Sequence, residues 1–121
     1  RTRLPPEQIT TSAASGQPTL YTIQLAGGIS LQAYVDPGKT GPNTVHYTFF
    51  QANGNEQPIA RATATSEAPS GAQQSMSLIR FSAGHFAANA SLSAGHWIFF
   101  IDATTQTGRQ LSAYFQQVVG S

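Results

Sequence analysis

The sequence predicts an all-β fold, and three observations carry that prediction. Apolar and polar residues alternate with a period of two in several stretches rich in β-branched and aromatic residues, as in residues 29–35. No window of a dozen residues keeps the 3.6-residue period of an amphipathic helix. Clusters of glycine, proline and asparagine separate the alternating stretches. Seven or eight short strands in about 100 residues are typical of an immunoglobulin-like antiparallel β-sandwich, which is the predicted fold.

Eight stretches fit the strand pattern, and turns or loops of two to eight residues separate them. The predicted strands are residues 18–25, 29–35, 44–51, 59–66, 75–81, 85–92, 95–104 and 109–118. Residues 36–43 are dense in turn formers and include Pro37 and Pro42. We expect a loop there, because a proline has no N–H to donate to a neighbouring strand.

The chain has 121 residues, which suits one domain and is too short for two well-packed cores. Pro5 and Pro6 open a polar segment, so we interpret residues 1–17 as a tether or linker. The folded domain is predicted to span residues 18–118. The first residues lack the apolar stretch of a signal peptide, and we interpret the chain as a domain cut from a longer protein.

The composition excludes several classes of function. Charged residues make up 9% of the chain, against roughly 25% in an average soluble domain. The six basic residues are scattered, whereas a nucleic-acid interface requires clustered Lys and Arg. Cysteine is absent, which excludes disulfides and thiolate chemistry. The longest apolar run, residues 97–101, is far shorter than the roughly 18 residues that a membrane helix needs.

The acidic and nucleophilic residues do not form a catalytic pattern, so we predict that the domain is not an enzyme. No two of the five acids are placed as a pair, whereas glycoside hydrolysis needs two facing carboxylates. The serines lack the Gly-x-Ser-x-Gly turn that exposes a nucleophile ahead of a helix.

Strand parity predicts which side chains face the core. The predicted inward residues include Val45, Tyr47, Phe49, Trp97, Phe99 and Ile101, with Trp97 at the centre of the core. Phe50, Ile98 and Phe100 have the opposite parity and are predicted to face outward. Because we expect their two strands to be neighbours in one sheet, these three residues form a predicted interface with a partner. The alternative is a stripe covered by a loop or an edge hairpin.

Three segments carry a resemblance to a known family. They are Val35-Asp-Pro-Gly-Lys-Thr-Gly-Pro-Asn-Thr-Val45, Gly84-His-Phe86 and Leu92-Ser-Ala-Gly-His-Trp97. In this order and spacing they resemble the C-terminal extracytoplasmic domain of CopD/YcnJ-type copper-transport membrane proteins, with YtkA-like and FixH-like domains as related forms. The resemblance covers about residues 29–104.

The resemblance implies an extracytoplasmic accessory domain of a copper-transport or copper-resistance membrane protein, on the periplasmic or cell-surface side. Its expected partner is the membrane-embedded part of the same protein or another extracytoplasmic protein. It would act by protein contact or by weak, transient copper handling. The alternative is an immunoglobulin-like interaction or adhesion module with no metal role. An independent copper carrier would require a ligand cluster.

The candidate metal ligands are His46, His85, His96 and Met76, because imidazole and thioether groups suit copper. We do not expect all four in one site. If Ser93-Ala94 turns a hairpin, His85 and His96 lie six residues apart along it, roughly 20 Å at about 3.3 Å per residue. Copper is therefore the candidate cofactor, with no expected affinity tighter than about micromolar.

Overall fold

The computed structural model describes residues 8–120 and contains two antiparallel sheets packed as a β-sandwich. This confirms the predicted all-β fold class, with ten strands in the described residues instead of seven or eight. The strands are β1 (Gln8–Ser12), β2 (Leu20–Gln24), β3 (Ser30–Asp36), β4 (Gly41–Phe50), β5 (Ile59–Glu67), β6 (Gln73–Met76), β7 (Ile79–Ser82), β8 (His85–Leu92), β9 (Gly95–Thr105) and β10 (Gln110–Val119).

The larger sheet has six strands in the order β1-β2-β3-β4-β8-β7, and the smaller has four in the order β10-β9-β5-β6. The chain crosses between the sheets after β4, β6 and β8. The predicted single strand over residues 75–81 is therefore wrong. It divides at Ser77 and Leu78, because β6 pairs with β5 in one sheet and β7 pairs with β8 in the other.

The prediction of a tether over residues 1–17 is wrong for Gln8–Ser12, which forms β1. This strand pairs with β2 over five residues, and Ile9 lies opposite the buried Ile23. Ile9 packs partly against the core, which gives this short strand its apolar contact. Residues 1–7 lie outside the described residues.

β4 begins at Gly41, inside the predicted loop. Pro42 is tolerated there because β3 pairs only as far as Thr44, so this end of β4 has a strand neighbour only in β8. The turn before it is tied by the buried Asn43. Its Oδ1 accepts a hydrogen bond from Gly38 N–H at 2.6 Å, and its Nδ2 donates to Lys39 C=O at 2.7 Å.

The core is centred on Phe115 of β10. Its ring lies 4.5 Å from the ring of Tyr21, 5.2 Å from that of Phe99 and 6.3 Å from that of Tyr47. These contacts join both sheets. The six residues predicted to face inward are all buried. Trp97 is 8% exposed and donates its Nε1–H to Ser93 C=O at 2.8 Å, so it fills the margin of the core near a chain crossing instead of its centre.

The predicted interface of Phe50, Ile98 and Phe100 is wrong as one surface. β4 belongs to the six-stranded sheet and β9 to the four-stranded sheet, so Phe50 lies on a different face from Ile98 and Phe100. Phe100 is also only 4% exposed, and its ring lies 5.9 Å from that of Tyr114 on the adjacent β10. The parity was correct, but the two strands are not neighbours.

Replacing Trp97 by Ala should lower the free energy of unfolding by about 3–5 kcal/mol, since it removes a large buried ring and leaves a cavity. Phe81→Ala is the matched control, because Phe81 is 59% exposed and its loss should cost no more than about 0.5 kcal/mol. Urea unfolding followed by circular dichroism measures both. Equal midpoints for Trp97→Ala and the unaltered chain would show that the indole does not stabilise the core.

Candidate functional site

Two of the candidate ligands, His46 and His85, meet on the outer face of the six-stranded sheet. His46 faces outward because its neighbours Val45 and Tyr47 face the core. It lies opposite Ala87 of β8, and His85 is two residues before Ala87 on the same face. Such diagonal neighbours are within reach of each other when their side chains are long. His46 Nδ1 and His85 Nε2 lie 3.4 Å apart and share a hydrogen bond, whose donor is set by the tautomers of the two rings.

An aromatic side chain flanks each histidine. The ring of Tyr34 stacks on that of His46, with centroids 4.5 Å apart and planes 11° apart. The ring of Phe81 lies 5.2 Å from that of His85. Together Tyr34, His46, His85 and Phe81 form a histidine–aromatic row that crosses β3, β4, β8 and β7. At its β7 end, Phe81 and nearby Ile79 are more than half exposed.

The turn between β7 and β8 fixes the position of His85. Glu56 clamps this turn: its Oε2 accepts the Gly84 N–H at 2.8 Å, and its Oε1 accepts the Ser82 hydroxyl at 2.9 Å. These hydrogen bonds, led by that from Gly84, hold the pKa of Glu56 below its usual value. A side chain on Gly84 would overlap the carbonyl oxygen of Gln57, so only glycine fits beside His85.

The surroundings of His46 favour its neutral form. Burial is the largest cause that lowers its pKa, and the nearby His85 lowers it further, while Asp36 acts in the opposite direction. A neutral imidazole is the form that binds a metal ion. His46 is therefore a ligand that a metal ion can bind at neutral pH without displacing a proton from a cationic ring.

The separation of the two nitrogens suits a shared metal ion. Two imidazole nitrogens that bind one tetrahedral ion at about 2.0–2.1 Å lie about 3.3 Å apart. The observed 3.4 Å between His46 Nδ1 and His85 Nε2 is close to this value. Within residues 8–120, no group of three or more His, Cys, Asp or Glu side chains could hold a metal ion. An ion on the pair would therefore have two protein ligands and open positions for water or a partner.

His96 does not join this pair. It lies on β9 in the four-stranded sheet, and its Nε2 is 2.6 Å from Gln116 Oε1 on β10. The hairpin assumed around Ser93-Ala94 is wrong, because β8 and β9 belong to different sheets. The separation of His85 from His96 follows from this division between sheets and not from distance along a hairpin.

Met76 does not join the pair either. It packs against the core from β6, and its Sδ accepts a hydrogen bond from the Tyr47 hydroxyl at 3.9 Å. Tyr47 is completely buried, which raises the pKa of its hydroxyl. Met76 thus accepts a hydrogen bond from a buried hydroxyl and fills the interior, whereas His46 and His85 lie on the outer face of the six-stranded sheet.

Sequence reasoning missed the contact between His46 and His85 and the two aromatic residues beside them. The outward parity of His46 was visible in the alternation of residues 45–49. The missing information was that β4 pairs with β8, which brings together residues 39 positions apart.

Comparisons with known proteins support the fold only. No family model matches the chain, and no curated protein matches it. Among solved structures, it is similar to a DUF4785 family protein from Legionella pneumophila, with a TM-score of 0.63 and 16% identity. The match covers 76% of this chain but only 28% of that longer one. No helix in residues 8–120 is long and apolar enough to cross a membrane.

The pKa of His46 should lie below 6.5, as NMR titration of its ring protons would measure. His85→Gln should raise that pKa, because it removes a nearby positive charge, whereas His96→Gln should leave it unchanged. The depressed pKa also gives a sign for stability. The contribution of His46 to the free energy of unfolding is fully present above about pH 6.5, its pKa in the unfolded chain. That contribution is lost as the pH falls through the lower pKa of the folded chain. A measured His46 pKa above 6.5 would contradict this prediction and show that Asp36 outweighs burial and His85.

Proposed function

We propose that this chain is an extracytoplasmic accessory domain of a copper-transport or copper-resistance membrane protein, and that it handles copper transiently through His46 and His85. The observation that carries the proposal is the 3.4 Å separation of their facing ring nitrogens. The resemblance of residues 29–104 to CopD/YcnJ-type domains supplies the copper context.

The ligand type of the pair suits copper, whereas the 3.4 Å separation is the tetrahedral one. Two nitrogens in adjacent positions of a tetragonal Cu(II) site lie about 2.8 Å apart, so Cu(II) would draw the two rings closer together. Imidazole suits zinc, nickel and copper, and Cu(II) generally binds a given nitrogen site more tightly than the neighbouring metals do. Two ligands with open coordination positions hold an ion weakly, so it exchanges readily. We expect a dissociation constant of about micromolar or weaker, roughly −8 kcal/mol or less favourable. A partner with further ligands would then take the ion from this face.

The row also offers a surface for that partner. Ile79 and Phe81 are 51% and 59% exposed at its β7 end, where the ring of Phe81 lies 5.2 Å from that of His85 and Ile79 lies opposite Ala87. Exposed apolar side chains next to a polar site are common where two proteins meet. The proposed partner is the membrane-embedded part of the same protein or another extracytoplasmic protein. The role is non-enzymatic, with the domain presenting the ion and making contact.

If the domain does not bind copper, the same row supports the alternative function. An interaction or adhesion module would use Phe81, Ile79 and Tyr34 for contact without any ion. The exposure of the first two residues is the observation in its favour. Under that function, copper titration would detect no binding to the unaltered domain, and changing His46 or His85 would not alter that result.

Titration of the domain with Cu(II) at pH 7.5 should reveal one ion bound with about micromolar or weaker affinity. His46→Gln and His85→Gln should each weaken binding at least about tenfold, since each leaves a single imidazole. His96→Gln is the matched control and should bind like the unaltered domain, because that side chain contacts Gln116 in the other sheet.

Electron paramagnetic resonance should report two nitrogen ligands in the unaltered domain and fewer in either variant of the pair. Binding should decline as the pH falls below about 6, where protons compete for imidazole. Unaltered affinity in both His46→Gln and His85→Gln would overturn the proposal. Nanomolar binding would instead indicate ligands beyond the pair.

A further inference from the structure

The outer edge of β10 differs from the other sheet edges. β10 has ten residues and pairs with β9 at every position without a bulge. The other edge strands, β1, β6 and β7, have five, four and four residues. β7 also carries Arg80 and a bulge, devices that discourage pairing with another chain.

Nothing in the composition of β10 protects its edge. Between Gln110 and Val119 the sequence contains no charged residue, no proline and no glycine. A long, regular, uncharged edge strand is a template for pairing with a further strand. Val118 is 72% exposed on it, although Val is a residue that favours paired strands.

The hydrogen-bond pattern shows which residues direct their backbone toward this edge. Thr105 N–H donates to Arg109 C=O, so the odd-numbered residues of β10 pair with β9. The even-numbered residues, including Ser112, Gln116 and Val118, direct N–H and C=O the other way. Gly120 follows this alternation, because its C=O accepts a hydrogen bond from Thr40 N–H at 3.2 Å on the edge side, where Lys39 forms an isolated parallel bridge with Gly120. Residues 39 and 40 therefore occupy the edge at Gly120, so pairing with a further strand concerns residues 110–118.

The six-stranded sheet extends beyond this edge as a ledge. Phe115 of β10 stacks on Tyr21 of β2, and β1 lies beyond β2. Among the described strands of the smaller sheet, none follows β10 to cover β1. Ile9 on the core-facing side of β1 is accordingly only partly buried, whereas its partner Ile23 is buried. Among residues 8–120, the one-strand overhang of β1 thus leaves beside the edge of β10 a slot about one strand wide, since strands in a sheet lie about 4.8 Å apart.

We propose that this slot binds a single extended segment of another protein, which pairs with β10 as a fifth strand of the smaller sheet. Main-chain hydrogen bonds to the even-numbered residues would supply affinity, and alternate apolar side chains of the segment would cover Ile9. A segment with alternating apolar and uncharged polar residues fits this chemistry. This proposal does not depend on copper binding.

The same ledge argues against a second copy of the chain as the occupant. If two copies paired antiparallel through β10, a two-fold axis perpendicular to the joined sheet would relate them. The core-facing sides of the two smaller sheets would then lie on the same side of that joined sheet. The six-stranded sheets of both copies would then compete for the space that β1 occupies. A lone strand brings no second sheet with it.

The probe is a capped synthetic peptide of nine alternating Thr and Val residues with a Lys at each end. On its addition, amide hydrogen exchange at Ser112, Gln116 and Val118 should slow at least about tenfold, because these N–H groups gain acceptors. Exchange at Gln73–Met76, on the opposite edge of the same sheet, should not change. Edge amides that are already protected in the free protein, or that the peptide does not protect, would overturn the proposal.

Gln116→Pro removes one edge-directed N–H and should weaken peptide binding at least about tenfold. Gln116→Thr is the matched control: it loses the same contact with His96 but keeps the N–H, and it should bind within about twofold of the unaltered protein. Should Gln116→Pro fail to fold, the exchange measurement on the unaltered protein still decides. Protection that grows with protein concentration in the absence of peptide would assign the edge to a second copy and refute the single-segment proposal.

Discussion

The inward row of β4 is the constraint from which the position of the candidate site follows. Val45, Tyr47 and Phe49 are almost completely removed from water, and burial of such side chains is the main force that holds the two sheets together. Because successive side chains of a strand point to opposite faces, this burial places His46 on the outer face. Phe86 imposes the same condition on β8 and turns His85 outward. The histidine pair is thus a consequence of core packing on two adjacent strands.

Alternation could be read from the sequence because it is local, and so the fold class, most strand positions and the buried rows were predicted correctly. The choice of sheet for each strand is not local. An alternating strand has the same pattern whether its neighbour is β8 or β9, so the sequence did not indicate that β4 and β9 lie in different sheets. That single ambiguity explains both the wrong interface of Phe50, Ile98 and Phe100 and the missed contact of His46 with His85.

The bounds of the short strands were also missed, because they depend on where the chain crosses between the sheets and on which strands pair. Residues 75–81 read as one strand because Met76 and Leu78 alternate with serines and further apolar residues follow. The parity changes between Leu78 and Ile79, and there the chain passes from β6, which ends at Met76, to β7, which starts in the other sheet at Ile79. Residues 8–12 contain a single large apolar side chain, Ile9, and nothing local separates them from a linker. Pairing with β2 makes them a strand, and that depends on the six-stranded sheet already being formed.

The two proposed binding surfaces lie on different parts of the sandwich, which allows them to work together. The histidine–aromatic row is on the outer face of the six-stranded sheet, and the open edge belongs to β10 of the four-stranded sheet. A segment held in the slot beside β10 would contact β1 on its core-facing side, so it would leave His46 and His85 uncovered. A partner tethered through such a segment would raise the effective concentration of its own metal ligands near the row. If the pair binds copper as proposed, weak binding by two imidazoles would then be an advantage, because a loosely held ion would pass readily to a neighbour that stays close.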